Sequence, residues 1–213
     1  KYSKLVPDES KGMSIFDFDD TLARSNSKVG VTMPDGTTMK INATEFAQQS
    51  ADLEAAGAEF NFDEFNKVVD GKPALASKKL QKAIDKFGNK DVYVLTARPQ
   101  QSAQAIYEFL KGIGLEVPLE NITGLEDGTP QAKANWMISK AAEGYNDFYF
   151  TDDVYKNVKA VQDALEVLDV KSKTRVAYAD RITKLDKDFN DILEAKTGIG
   201  AEKVYSKAKA TVV

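Results

Sequence analysis

Apolar positions along the chain follow two alternating rhythms. Short apolar runs at Met13–Phe18, Val92–Leu95 and Phe148–Phe150 have the length of buried strands. Elsewhere apolar residues recur at helical spacing. Ala76, Leu80, Ala83, Ile84 and Phe87 form one such face, with Gly88 as its stop. Ile106, Phe109, Leu110 and Ile113 form a second, which ends near Gly112 and Gly114. Residues 130–143 read as a third helix, and Val154, Val158, Val161, Leu165 and Leu168 make the cleanest amphipathic face. Arg175–Tyr178 reads as a last strand. Strand and helix in alternation predict parallel strands joined by helical crossovers, an α/β three-layer sandwich of Rossmann-like type.

Two regions break this rhythm. Val29–Met33 and Thr37–Ile41 flank Pro34-Asp35-Gly36, a hairpin signal. A polar, Ala-rich stretch at 44–57 reads as helix, and Phe60, Phe62 and Phe65 mark an apolar patch ahead of Gly71-Lys72-Pro73. Residues 25–73 are therefore expected to form a small hairpin and helical insert, with the three phenylalanines as its own core. Residues 1–12 are a polar lead-in, and the core spans 13–180. After that, Phe189, Ile192 and Leu193, then Ala201, Val204, Tyr205 and Ala208, suggest two helices parted by Gly198-Ile199-Gly200. This tail, 181–213, is expected to pack on the core or to contact another domain or chain.

Composition narrows the chemistry. The 213 residues include no cysteine and no histidine. Disulfides, thiolate nucleophiles, Ser-His-Asp triads and His- or Cys-ligated metals are therefore excluded. Catalysis must run on carboxylates, Lys, Arg and hydroxyls, and the metal that suits a carboxylate site is a hard one, Mg²⁺ first. The formal net charge of −4 speaks against a general nucleic-acid coat, which needs a positive field. No run of about 18 apolar residues predicts a membrane span. The chain starts at Lys1, which fits a piece of a longer protein, and a cytoplasmic location is expected.

Three of the predicted strands end in polar chemistry, where ligands gather in parallel sheets. Asp17-x-Asp19-x-Thr21 follows the first strand, Thr96-Ala97-Arg98-Pro99 the second, and Thr151-Asp152-Asp153 the third. Carboxylates two positions apart leave a strand on the same side, so Asp17 and Asp19 can serve one centre in opposite protonation states. Asp152 and Asp153 supply oxygens for a hard cation. Thr96 can donate to a phosphoryl oxygen, and Lys133, early in a helix, can neutralise both Asp17 and a phosphate. Asp20 is read as structural or solvent-facing, and Trp136 and Tyr149 as core.

This set resembles the haloacid dehalogenase-like (HAD) superfamily. The resemblance rests on Asp17-Phe18-Asp19-Asp20-Thr21, Leu95-Thr96-Ala97-Arg98, Lys133 and Thr151-Asp152-Asp153, in the family's order. It implies a Mg²⁺-dependent phosphomonoester hydrolase. Asp17 would be the nucleophile that forms an aspartyl-phosphate, and a metal ligand. Asp19 would be the general acid and base, ligating the metal through its carbonyl. Thr96 and Lys133 would hold the phosphoryl group, Arg98 would bind substrate, and Asp152 and Asp153 would complete the metal site. The substrate expected is a phosphorylated small molecule or, given the small insert, a nucleic-acid end. The Leu95–Pro99 and Phe150–Asp153 strings are also similar to phage-encoded members. Two readings compete: a domain of a larger, viral assembly with little catalysis, and a phosphotransferase or phosphomutase.

Overall fold

Five parallel strands form the main sheet of the computed structural model, which describes residues 10–177. They are β1 (Gly12–Phe16), β7 (Val92–Thr96), β8 (Ile122–Gly124), β9 (Asp147–Asp152) and β10 (Lys171–Val176), in the order β10-β9-β1-β7-β8. Every pairing among them is parallel. The order reverses on either side of β1, so the carboxyl ends of β7, β1 and β9 border the crevice where such sheets bind ligands.

Side chains alternate strictly across the central strands. Phe16, Val92 and Val94 face the helices α2 (Ser77–Phe87) and α3 (Ala103–Gly112), where Leu80, Ile106 and Leu110 are buried. Met13, Ile15, Leu95, Phe148 and Phe150 face α4 (Pro130–Ala142) and α5 (Tyr155–Val167), against Met137, Val158, Val161 and Leu165. Burial on both faces explains why these strands read as continuous apolar runs. The α/β three-layer, Rossmann-like architecture is thus present.

The last strand departs from expectation. β10 starts at Lys171, earlier than the expected Arg175, because an edge strand of Lys-Ser-Lys-Thr-Arg carries no apolar run to announce it. β8 was not visible in the sequence, since three residues, Ile122-Thr123-Gly124, are too short for a pattern. Gly124 is nonetheless essential to the packing: a Cβ there would lie 2.5 Å from the carbonyl carbon of Pro99 and 2.6 Å from the Arg98 oxygen. The turn after β7 therefore rests directly on β8.

Between β1 and α2 the chain builds the insert. β3 (Val29–Thr32) pairs antiparallel with β4 (Thr38–Ile41), the expected hairpin, and on its other edge with β5 (Glu59–Asn61), which the sequence did not suggest. Helix α1 (Ala43–Ala55) starts at a capping box in which Asn42 and Glu45 satisfy each other's backbone N–H. Phe46 meets Phe60, Phe62 and Phe65 edge-on, at ring separations of 5.3 to 6.2 Å, over Val29, Val31 and Ile41. A short antiparallel ribbon of β2 (Ala23–Arg24) and β6 (Lys72–Pro73) closes the neck. Among the described residues no helix is long and apolar enough to cross a membrane. Residues 1–9 of the lead-in expected at 1–12, and the expected helices after 180, lie outside the described residues; Gly12 already belongs to β1.

Candidate functional site

Asp17 is the first residue beyond β1, and its N–H donates to the Thr151 carbonyl of β9 at 3.0 Å. The main chain thereby fixes the carboxylate between two strand ends. Lys133 comes from α4, whose start is set by Thr129: its hydroxyl accepts the Ala132 N–H, and Pro130 follows at the first helical position. The Lys133 ammonium lies 2.6 Å from Asp17 Oδ1 and 2.6 Å from Asp152 Oδ2, and is only 3% exposed. Asp152 is fully buried. Its Oδ1 accepts the Val154 N–H at 2.8 Å, and Asn157 Nδ2 reaches both of its oxygens at 3.1 Å. Asp153 completes the group: one carboxylate oxygen each from Asp17, Asp152 and Asp153 lie within 4.8 Å of one another.

Electrostatics follow from this crowding. Burial, reinforced by the charges of Asp152 and Asp19, outweighs Lys133 and pushes the Asp17 carboxyl up to about 7. Burial and the neighbouring Asp17 and Asp152 push Asp153 up to about 9. Burial opposes the charge on Lys133, but Asp152 and Asp17 outweigh it and hold the ammonium above the ordinary lysine range. With all three carboxyls ionised, one ammonium leaves a formal charge of −2, the deficit that a divalent cation would neutralise. The donors are all oxygen, as hard cations require. A further buried oxygen at the site, Asn157 Oδ1, has no partner within the protein. These residues fit a metal ion.

Thr96, at the carboxyl end of β7, is buried and lines the same small cavity as Asp17, Lys133 and Asn157. Its Oγ1 accepts the Arg98 N–H at 3.2 Å, a bond that does not use the hydroxyl's own proton. Thr96, Lys133, Asp17, Asp152 and Asp153 are thus brought together as the sequence suggested.

Asp19 and Arg98 stand differently. Asp19 lines the same cavity but is not part of the three-carboxylate group; its carboxylate takes a two-pronged ion pair from Arg98, Nε at 2.8 Å and Nη2 at 2.7 Å. Arg98 is fully buried, and its remaining N–H groups go to Phe65 O, Lys67 O and Ser25 Oγ. A guanidinium has five N–H donors, and all five are engaged within the protein. The substrate-binding role expected for Arg98 is therefore not supported: in this arrangement it has no donor left to offer a ligand. Asp20 occupies the left-handed region at φ 54°, which Asp tolerates better than most residues, and accepts the Thr44 hydroxyl at 3.0 Å. Of the two roles expected for it the structural one is present: it ties the acidic turn to the insert helix.

The sequence reading missed Asn157. The signal was slight: one amide beside the apolar stripe of α5, a turn beyond the paired aspartates. It also missed the contacts of Ser25, Phe65 and Lys67 with Arg98, two of which use only backbone carbonyls. In comparisons with known proteins, no protein-family model and no curated protein matches the chain.

Proposed function

We propose that the chain is a Mg²⁺-dependent phosphomonoester hydrolase of the HAD type, with Asp17 as nucleophile. The observation that carries this reading is the group Asp17, Asp152 and Asp153 around one buried lysine, at the carboxyl ends of adjacent parallel strands. A carboxylate nucleophile beside a lysine and a possible cation site suits phosphoryl transfer, in which positioning and charge neutralisation supply most of the catalysis.

An Asp17 oxygen attacks phosphorus, the P–O bond to the leaving group breaks, and Asp19 supplies the proton that the leaving oxygen needs. Water then attacks phosphorus in the aspartyl-phosphate, Asp19 accepts its proton, and phosphate departs with Asp17 restored. Lys133 and the Thr96 hydroxyl hold the non-bridging oxygens throughout. Asp17, Asp152 and Asp153 would hold Mg²⁺, which when bound would supply the charge that keeps Asp17 ionised and offsets that of the phosphoryl group. Uncatalysed hydrolysis of such esters is so slow that enhancements reach roughly 10²¹, which is why a covalent route, a metal and a lysine act together.

The test is a panel of phosphate esters, from aryl phosphates to nucleotides and 3′-phosphorylated oligonucleotides, each with Mg²⁺ and with chelator. Magnesium-dependent release of phosphate, lowered at least about 10⁴-fold by Asp17→Asn in a normally folded chain, is the expected outcome. Hydrolysis that Asp17→Asn leaves intact would remove Asp17 from the reaction.

A further inference from the structure

The insert sits directly over the acidic group. Ala43, Thr44, Phe46 and Phe65 roof a cavity of about 20 Å³ whose floor includes Asp17, Thr96 and Lys133. A water or bare ion needs roughly 10–15 Å³, so the cavity as it stands has room for one of those and little more. Room for a phosphate ester beside Asp17 would come from the insert residues Ala43, Thr44, Phe46 and Phe65 moving aside.

Arg98 spans the parting line. On the core side, Nε and Nη2 grip Asp19. On the insert side, Nη1 donates to Phe65 O at 2.9 Å and Lys67 O at 2.6 Å. The second Nη2 proton goes to Ser25 Oγ at 2.9 Å, in the neck. The guanidinium centre lies 4.5 Å from the centre of the Phe65 ring and 5.3 Å from that of Phe18, one ring from each side. A buried guanidinium stripped of two acceptors is costly, so it does not stay in place when the roof leaves.

We infer that Arg98 is a positioning residue that couples the seat of the insert to the aim of Asp19. With the insert down, Asp19 is held on the fork. When the segment at Phe65–Lys67 lifts to admit an ester, Arg98 loses two acceptors and its grip on Asp19 changes with them. Gly124 sets the fork's origin, because the Arg98–Pro99 backbone rests where a side chain at 124 would be. Lysine cannot replace Arg98: a point charge on a flexible stem cannot serve the carboxylate and two carbonyls at once. The inference rests on the phosphatase reading for the chemical role of Asp19, but the coupling itself is read without substrate.

The test is amide hydrogen exchange on the full chain across 62–70, a segment that includes the Val69 N–H bonded to Ser27 Oγ. Asp19→Asn lies outside the insert, keeps the side chain's shape and weakens the fork. Coupling predicts that it speeds exchange in 62–70 at least about tenfold, that Arg98→Lys does so as much or more, and that the double variant adds nothing further. Exchange in Asp19→Asn within twofold of wild type would overturn the coupling, as would full additivity in the double variant. Should Arg98→Lys fail to fold, Asp19→Asn alone decides. Where the chain hydrolyses an ester, Arg98→Lys is further expected to lower kcat at least about tenfold with KM nearly unchanged, the mark of a group misaligned rather than a site unfolded. Unchanged kcat would overturn the positioning role. A chain with no phosphatase activity that still shows the exchange pattern would overturn the phosphatase reading and keep the coupling.

Discussion

Asp17 and Asp19 are two residues apart, yet each is held by a different cation in a different part of the molecule. Asp17 shares Lys133 with Asp152, and every element of that cluster, β1, β9 and α4, belongs to the core. Asp19 is held by Arg98, whose other partners lie in the insert and its neck. The cation types match these tasks. A lysine ammonium is a compact charge that two carboxylates can share, whereas the planar arginine fork fixes direction. The difference teaches how one acidic turn serves two purposes: the half that would attack phosphorus is fixed, and the half that would move protons depends on the position of the insert.

The sharpest way to break the comparison on its fixed side is Lys133→Met. It leaves Asp17 and Asp152 buried without their shared cation, and removal of one partner of a buried ion pair typically costs about 3–5 kcal/mol. Chemical denaturation of the metal-free protein at neutral pH measures this. Mg²⁺ is expected to restore part of the loss, because it can take the place of the missing charge. A loss below about 1 kcal/mol would mean the cluster is solvated and the core side is not fixed.

A smaller effect comes from pH. Asp17 and Asp153 are acids whose native values lie above the ordinary carboxylate range, at about 7 and about 9. The native state therefore binds more protons than the unfolded state from about pH 4 to about pH 9, and metal-free stability falls as pH rises through that window. Mg²⁺ must displace those protons, so its affinity rises with pH, by up to about tenfold per pH unit for each proton displaced. Titration calorimetry in buffers of different ionisation enthalpy counts the protons released. Magnesium binding with no proton release at pH 7 would contradict the placement of the metal on Asp17 and Asp153.

The smallest expected effect lies on the movable side. Thr44→Val removes the hydroxyl that α1 donates to Asp20 while keeping the side chain's volume. The expected cost is about 0.5–1.5 kcal/mol, read as faster amide exchange in α1 with little change in β1 or β9. Equal loosening of both would mean that insert and core unfold as one unit.

What the sequence revealed follows from burial. β1, β7 and β9 are covered on both faces and read as apolar runs, and the residues at or just past their carboxyl ends, Asp17, Thr96 and Asp152, inherit their positions from that reading. Lys133 was legible because a helix leads from it toward β9. β10 was misplaced and β8 went unseen, one for its polar edge sequence and the other for its three-residue length. Arg98 was legible as a residue of interest but not in its role. Two of its partners are carbonyl oxygens of Phe65 and Lys67, which every residue type carries, so no pattern of side chains could announce them. Asp20 was legible as structural but its partner was not, since Thr44 lies in an insert whose seat on the core depends on the fold as a whole.

The central claim is that Asp17 becomes phosphorylated. The most direct measurement is borohydride trapping during turnover of an aryl phosphate with Mg²⁺, which reduces an acyl-phosphate on aspartate to homoserine, followed by peptide mass mapping. The account predicts homoserine at position 17, dependent on both ester and Mg²⁺, and absent in Asp17→Asn. Turnover of the ester with Asp17 unmodified, or trapping at another carboxylate, would contradict it.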